Sequence, residues 1–451
     1  MPPASVTNPV GYAPRLGVFS GTMLVVGGII GGGIFLSPAV VAQRVGTPGL
    51  TLAAWGLGAV VAIIGGFVYA ELGARRPRSG GSYVYLREAW GSLPAFLYGW
   101  ALFLIMATGA IAAVAMTGAG YLVALLGWDA SQARPMAAAL ITGLTALNVA
   151  GVRLGAAVGN LLTVLKLAAI VALVVAAFLV TPGAPATVVP PLVVPQGALA
   201  TAVALGSALV PVLFACGGWQ QTNAVAEELR DAARTLPKAL VGGVLIVAVT
   251  YLLVNVAYLR ALGVAGLAAS SAPAADTMAV ALGEPGRLLI GAGIVVSTTG
   301  FNAMTILMSA RVYQAMAADG VFFARMAQLH PRTRTPVWAL VGQGAVALAL
   351  LFTGTYGQLL DYVVFADWIF FGATAASLFV FRARDAARGT DDAAVRSPLH
   401  PWGTVLFVLA AGYVVLGAIV SNPGNALRGA AILALGVPVH AFWRRRARGV
   451  A

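Results

Sequence analysis

Charge is what this sequence has least of. Only 9% of its 451 residues are Asp, Glu, Lys or Arg, against 60% hydrophobic, and the mean hydropathy is +0.91. A soluble domain carries roughly 25% charged residues to keep its surface hydrated. A chain this poor in charge cannot clothe several water-soluble domains, so its length counts membrane spans instead. Cysteine is nearly missing as well: a single one, Cys216, excludes an intramolecular disulfide. The three histidines, His330, His400 and His440, fall in loops or near a span end, and no metal-ligand cluster is present. There is no Ser/His/Asp arrangement, no phosphate-binding loop and no long polar segment to form a separate domain. No cofactor and no metal are expected.

What remains is apolar runs and the breakers between them. They predict an all-α polytopic membrane protein with twelve transmembrane helices, near 16–40, 49–72, 93–126, 136–152, 157–180, 199–220, 238–262, 286–316, 336–354, 359–381, 402–420 and 427–443. The third and eighth runs exceed one bilayer crossing, so they are expected to tilt or to extend into the cytoplasm. The first run is too long for a cleavable signal peptide, lacks a small-residue cleavage site and carries its glycines at mid-depth.

Twelve spans put both termini on one side. That side holds 21 of the 27 Lys and Arg residues; five lie on the other, and Lys166 falls inside a span. Cationic loops stay in the cytoplasm, so both termini are expected there. The net charge of +13 is then a topology signal rather than a nucleic-acid-binding one, because the arginines are dispersed over short loops. Arginine-rich, lysine-poor and alanine-rich usage points to a high-GC bacterium and its inner membrane.

The expected organisation is a cytoplasmic N-terminus (1–15), five helices (16–180), an extracellular proline-rich connection (181–198), five more helices (199–381), a cytoplasmic linker (382–401), two extra C-terminal helices (402–443) and a basic cytoplasmic C-terminus (444–451). Five spans per half place the halves in opposite orientations, as an inverted repeat.

Two stretches look wrong for spanning helices. "VVGGIIGGGIFLSP" (25–38) puts five glycines between Gly27 and Gly33 in the middle of span one. Glycine costs about 1 kcal/mol relative to alanine in a helix interior. Five spans later, "LVPVLFACGGWQQTN" (209–223) carries Pro211 and Gly217-Gly218 in span six. Small-residue runs also serve helix packing, but interrupted spans at corresponding positions of two halves point to a transporter binding site. Backbone groups in hydrocarbon must be hydrogen-bonded, so an unwound segment survives only where it lines a cavity. Freed N–H groups at the start of a half-helix hold an anion; freed carbonyls at the end of one hold a cation. Two breaks side by side suit a small zwitterion, and an α-amino acid is the obvious one.

Four stretches carry a family resemblance: "IIGGGIFLSP" (29–38), "YAELGARRPRSGGSYVYLREAWG" (69–91), "FACGGWQQTNAVAEELRDAARTLPKAL" (214–240) and "SARVYQAMAADGVF" (309–322). In this order they resemble the amino acid–polyamine–organocation superfamily, and within it the L-amino-acid-transporter branch and related bacterial permeases. The resemblance covers roughly residues 15–445. It implies the five-plus-five inverted repeat seen in sodium-coupled amino acid transporters, with helices one and six broken, and alternating access around a midplane site. It also implies that Gly31, Gly32 and Gly33 offer N–H groups to the substrate carboxylate. The carbonyls of Ile29, Phe214, Ala215 and Gly217 would receive the ammonium, with Ile30 and Cys216 completing the two segments. Phe214 matches the aromatic that closes over the substrate from outside. The family usually has Gly-Ser-Gly where this chain has Gly31-Gly32-Gly33, so a serine hydroxyl contact is lost. Eukaryotic L-type exchangers bind a single-span glycoprotein through a cysteine; with Cys216 alone at the proposed site, no disulfide-linked partner subunit is expected.

Lys166 lies about mid-span five, where a cation is costly and functional by default; snorkelling to the interface is the structural alternative. In sodium-independent members of the resembled family a lysine in this span stands where the sodium ion would. Such a lysine is either a fixed charge in an exchanger or a titrating group in a proton symporter. Asp367 in span ten could relay protons or be a buried hydrogen-bonded carboxylate, with Asp361 nearer the external end. Glu227 and Glu228 follow the span-six break and are expected to pair with arginines such as Arg75 or Arg311 as an inner gate; Glu71 reads the same way. No acid or arginine neighbours either break in sequence, so neutral amino acids are the expected substrate. Cys216 could make the site thiol-reactive, or be only a small buried residue. A channel would show rings of like charge, which are missing. An intramembrane enzyme would need a catalytic pair, for which Lys166 and Asp367 are the candidates. A sensor that binds an amino acid without moving it has the same sequence signature.

Overall fold

A computed structural model describes residues 11–179, 192, 194–353, 356–390, 393–421 and 423–449. Residues 181–191 of the proline-rich connection and the side chain of Asp361 lie outside the described set. The described chain is helical throughout, with one isolated parallel bridge between Leu16 and Leu229. Its helices are α1 (Val18–Ile29), α2 (Gly33–Val45), α3 (Pro48–Arg75), α4 (Ser82–Trp90), α5 (Ser92–Ala101), α6 (Ala107–Leu125), α7 (Ala133–Ala150), α8 (Val152–Leu179), α9 (Ala198–Ala215), α10 (Ala232–Ala269), α11 (Pro273–Ala318), α12 (Val337–Thr353), α13 (Tyr356–Ala387), α14 (Trp402–Ser421) and α15 (Pro423–Gly449).

Local chemistry sets several boundaries. Pro48 opens α3 and the Thr47 hydroxyl caps it, accepting from the Leu50 N–H at 3.3 Å. A π-helical turn, Leu102–Met106, joins α5 to α6 into one long span. The Leu102 carbonyl accepts the π-helical bond from the Ala107 N–H and another from the Tyr313 hydroxyl at 3.2 Å, so the turn stays hydrogen-bonded in hydrocarbon. α10 and α11 run longer than the apolar stretches that predict them, because each joins two helical pieces across a kink at a positive-φ glycine, Gly263 and Gly283 respectively.

Nine helical segments among the described residues are long and apolar enough to cross a membrane, and α1 with α2, bent by 45°, make a tenth. Sequence patterning predicts twelve. The difference lies in the fourth and ninth spans, occupied by α7 with 18 residues and α12 with 17. Both are at the short end of the range for a full crossing, and α7 also carries Arg134 and Asn148.

Packing follows the membrane pattern of small residues at contacts and large apolar ones outside. α8 buries Gly155, Ala156, Gly159, Thr163 and Lys166, and exposes Leu161, Val164, Leu165, Val171 and Val175. α3 packs on α10, while α8 and α6 pack on α11. The two interrupted segments sit among these: α1 lies against α10 and α8, and α9 lies against α2 and α3.

Candidate functional site

The two interruptions touch. α1 ends at Ile29; the Ile30 N–H makes the last helical bond, to the Val26 carbonyl at 2.9 Å, and the chain turns through Gly31-Gly32 before α2 begins. α9 ends at Ala215, and Gly217 donates back to the Phe214 carbonyl at 3.1 Å. Gly218 then adopts φ +107, and a 3-10 helix, Trp219–Glu228, follows. Glycine at 218 is required twice over. L side chains rarely take this backbone conformation, and a Cβ there would sit 2.2 Å from the Gly28 carbonyl oxygen. Gly33 faces the other break in the same way: a Cβ on it would lie 3.0 Å from the Ala215 methyl group.

Between the breaks lies a cavity of about 200 Å³. Gly31, Gly32 and Gly33 line one side, and Phe214, Ala215, Gly217 and Gly218 line another, with Ile29 at the end of α1. N–H groups in the first turn of a helix have no intrahelical partner, and the first turn of α2 borders this space. Met106 of the π turn, Ala110 and Val114 of α6, Phe301 of α11, Asp367, Trp368 and Phe371 of α13, and Gln220 and Gln221 add to the wall. Ile30 and Cys216 belong to the interrupted segments but not to this lining: Ile30 is fully buried, and Cys216 borders a smaller void behind the break with Trp219 and Phe407.

The carbonyls freed by the α1 break are held from outside the cavity. The Lys166 ammonium donates to the Ile30 carbonyl at 2.5 Å and to the Gly27 carbonyl at 3.3 Å. Ser297 donates to Gly31 at 3.1 Å and lies 3.3 Å from the Ile30 oxygen. Lys166 has no exposure to solvent, and its stem lies along Gly300, where a Cβ would come within 3.4 Å of its Cε. Tyr251 joins the two breaks. Its hydroxyl lies 3.4 Å from the Ile29 carbonyl oxygen and 3.2 Å from that of Ala215, and its ring packs edge-on against Trp55. Neither Ser297 nor Tyr251 stands out in the sequence, because each is a common residue on an unbroken helix.

Below the cavity the polar groups pair closely. Arg311 meets Glu228 at 2.6 Å, both side chains being 1% exposed, and also donates to the Leu307 carbonyl at 2.6 Å. Glu227 is exposed and accepts from the Ser79 N–H at 3.2 Å, so the ion pair with Arg311 belongs to its neighbour. Arg75 bridges Glu71 and Asp385 at 2.8 Å each, and Arg382 reaches Glu71 at 2.7 Å. The Ser397 N–H also donates to Glu71, at 2.7 Å, which ties the linker after α13 to the end of α3.

This arrangement presents helix N-terminal N–H groups, carbonyls and an apolar wall to one small cavity, and no group of three or more metal-binding side chains occurs among the described residues. Residues 16–437 match the amino acid permease family. The chain belongs to that family, one of permeases rather than enzymes. The serine/threonine exchanger SteT of Bacillus subtilis (strain 168) is 29% identical over 443 residues, covering 98% of this permease and 99% of the relative. The human b(0,+)-type amino acid transporter 1 is 30% identical over 418 residues, 91% of this permease and 83% of that protein. The mouse Asc-type amino acid transporter 1 is 31% identical over 467 residues, 98% and 84% respectively. The permease is thus an integral membrane protein whose relatives move amino acids.

Proposed function

We propose that this permease is a sodium-independent transporter of amino acids, working by alternating access, with the substrate zwitterion bound by the backbone of the two breaks. The carrying observation is the Lys166 ammonium at 2.5 Å from the Ile30 carbonyl and 3.3 Å from that of Gly27. A bound cation at a helix break needs carbonyl oxygens, and a lysine already charges this set. The carboxylate is assigned to the N–H groups of Gly31, Gly32 and Gly33, and the ammonium to the carbonyls of Ile29, Phe214, Ala215 and Gly217. Phe214, half-exposed at the cavity wall, is assigned as the outer lid. Arg311, paired with Glu228, is assigned to the inner gate together with the exposed Glu227, because a buried ion pair must separate before the cytoplasmic side can open. Neutral amino acids suit the apolar part of the wall, Met106, Ala110, Val114 and Phe371.

The same reading takes α7 and α12 as full spans, giving twelve, with α1 to α8 and α9 to α13 as inverted repeats. Reciprocal packing supports it: α1 lies on α10, and α9 lies on α3, so each broken helix meets the second span of the opposite half. Both termini are assigned to the cytoplasm of a bacterial inner membrane on the arginine distribution, and no disulfide-linked subunit is assigned.

Uptake of labelled amino acids into proteoliposomes tests the proposal, with and without internal amino acid, sodium and a pH gradient. Uptake that needs internal substrate and ignores sodium and pH is the expected result. Uptake into empty vesicles that follows the pH gradient and vanishes with Lys166→Ala would make the permease a proton symporter. Binding with no flux would make it a sensor and overturn the transport reading.

A further inference from the structure

The substrate argument from sequence rests on the want of an acid beside either break. In three dimensions one arrives from elsewhere: α13 brings Asp367 into the wall of the same cavity. It is the one ionisable side chain lining that space among the described residues. Its carboxylate makes no hydrogen bond or ion pair among them, and the residue is only partly buried. Gln221 borders the cavity too, and its side-chain oxygen is buried with no partner. Buried ionised or polar groups are ordinarily paired, because leaving them bare forfeits their hydration for nothing. The carboxylate at the cavity wall therefore asks for a donor, and a ligand in the cavity can bring one.

The wall also decides which part of the ligand that is. The α-carboxylate and α-ammonium are taken by backbone groups at the two breaks. Asp367 sits with Trp368 and Phe371 on α13, a different element, in a wall shared with Met106 of the π turn and Ala110 of α6. A substrate anchored at the breaks meets this wall with its side chain. The cavity of about 200 Å³ is below the several hundred of a drug-sized site, which restricts the ligand to something small.

The geometry points to Asp367 as the specificity-determining residue of this permease, selecting small amino acids whose side chain ends in a hydrogen-bond donor, a hydroxyl or an ammonium. The inference rests on the amino acid reading of the cavity. A charge-assisted hydrogen bond from such a donor is favoured over a neutral contact roughly ten- to a hundredfold. A substrate that is aliphatic to its tip leaves the carboxylate bare.

The test uses pairs that differ only in the donor: serine against alanine, and ornithine against norvaline. Binding to the purified full-length protein in detergent is read by ligand-induced thermal stabilisation, for the native chain, Asp367→Leu and Asp367→Asn. The native protein is expected to bind the donor-bearing member of at least one pair about tenfold or more tightly. Preference in the serine pair alone identifies the hydroxyl, and in the ornithine pair the ammonium. Asp367→Leu is expected to erase that preference. Asp367→Asn, which keeps the shape and one acceptor, is expected to lose the ornithine preference and retain part of the serine one. Equal binding within both pairs by the native chain, or a preference untouched by Asp367→Leu and Asp367→Asn, overturns the inference. Uptake of the same four compounds into proteoliposomes separates this from the transport reading. Selective binding without flux sinks transport and leaves the role of Asp367 standing; flux indifferent to Asp367 does the reverse.

Discussion

The Lys166 ammonium lies 2.5 Å from the carbonyl oxygen of Ile30, across the gap between α8 and the broken end of α1. The contact joins a mid-membrane cation to a backbone group that a continuous helix would have satisfied itself. Each side answers the other's need: the cation is desolvated, and the carbonyl has lost its helical donor. Lys166→Met removes the donor while keeping an unbranched stem alongside Gly300. Two carbonyls, those of Gly27 and Ile30, then lose their ammonium partner. Leaving buried acceptors unmet costs about 1–3 kcal/mol each, although Ser297 still reaches Ile30 at 3.3 Å. We expect a lower unfolding temperature in detergent and uptake reduced at least tenfold. Unchanged uptake by the folded variant would remove Lys166 from the transport cycle.

Glycines at the breaks are not equivalent, and substitution separates them. Gly218→Ala meets both a positive φ and the Gly28 carbonyl oxygen at 2.2 Å. Neither obstacle is a flexible side chain that can swing away. Strain of this kind is of order 1–3 kcal/mol for the backbone alone, so loss of folded protein on size-exclusion chromatography is expected. Gly32→Ser meets nothing within 4 Å at φ −90. It restores the Gly-Ser-Gly pattern common among the sequences this chain resembles, and the variant is expected to fold as well as the native protein. Its effect is confined to substrate affinity, read as KM in uptake.

Those two glycines also show what a sequence can and cannot convey. The breaks were legible because glycine and proline have local consequences: helix propensity falls wherever they sit, whatever surrounds them. The family was legible because four motifs occur in order. Lys166 was legible because a cation in an apolar run is conspicuous. What could not be read was which distant helix supplies each wall. Asp367 lies about 150 residues from the second break and more than 300 from the first, and only the packing of α13 against α6 and α3 brings it to the cavity. Ser297 and Tyr251 sit on helices whose sequence gives no sign of the carbonyls they meet. Glu227 and Glu228 are adjacent and chemically alike, so only the fold decides that Glu228 turns inward to Arg311. The conformation that follows the second break was not legible for a related reason. Residues 219–228 are held as a 3-10 helix through tertiary contacts, with Asn223 donating to the Tyr69 carbonyl at 3.0 Å and the Tyr85 hydroxyl at 2.9 Å.

Tyr251 offers a way to separate stability from movement. Its hydroxyl has one proton and two carbonyl neighbours, Ile29 on one break and Ala215 on the other. Only one of them can receive the proton at a time; the Ile29 oxygen also accepts from the Gly31 N–H at 2.9 Å, and the proposed site assigns both carbonyls to the substrate ammonium. Tyr251→Phe keeps the ring against Trp55 and deletes this hydrogen bond, a net loss of about 1 kcal/mol. We expect a small change in unfolding temperature together with a several-fold rise in KM. Tyr258→Phe, whose hydroxyl lies 3.4 Å from the Ile34 carbonyl inside α2, serves as the comparison and is expected to leave KM unchanged.

The Arg311–Glu228 pair supplies the most demanding test of the cycle. Both side chains are 1% exposed, and Arg311 spends a further hydrogen bond on Leu307. Removing one member of such a pair strands the other in low dielectric, at about 3–5 kcal/mol. Glu228→Gln is therefore expected to destabilise the folded protein strongly. The double variant Glu228→Gln with Arg311→Met strands no charge, and it is expected to recover much of that stability. If the pair is an inner gate, the recovered fold will not recover transport, because the double variant no longer has an ionic contact that closes the cytoplasmic side. Exchange in proteoliposomes distinguishes the outcomes. Stability and uptake restored together would reduce the pair to a structural brace, whereas stability restored with uptake still depressed at least tenfold assigns it to the gate.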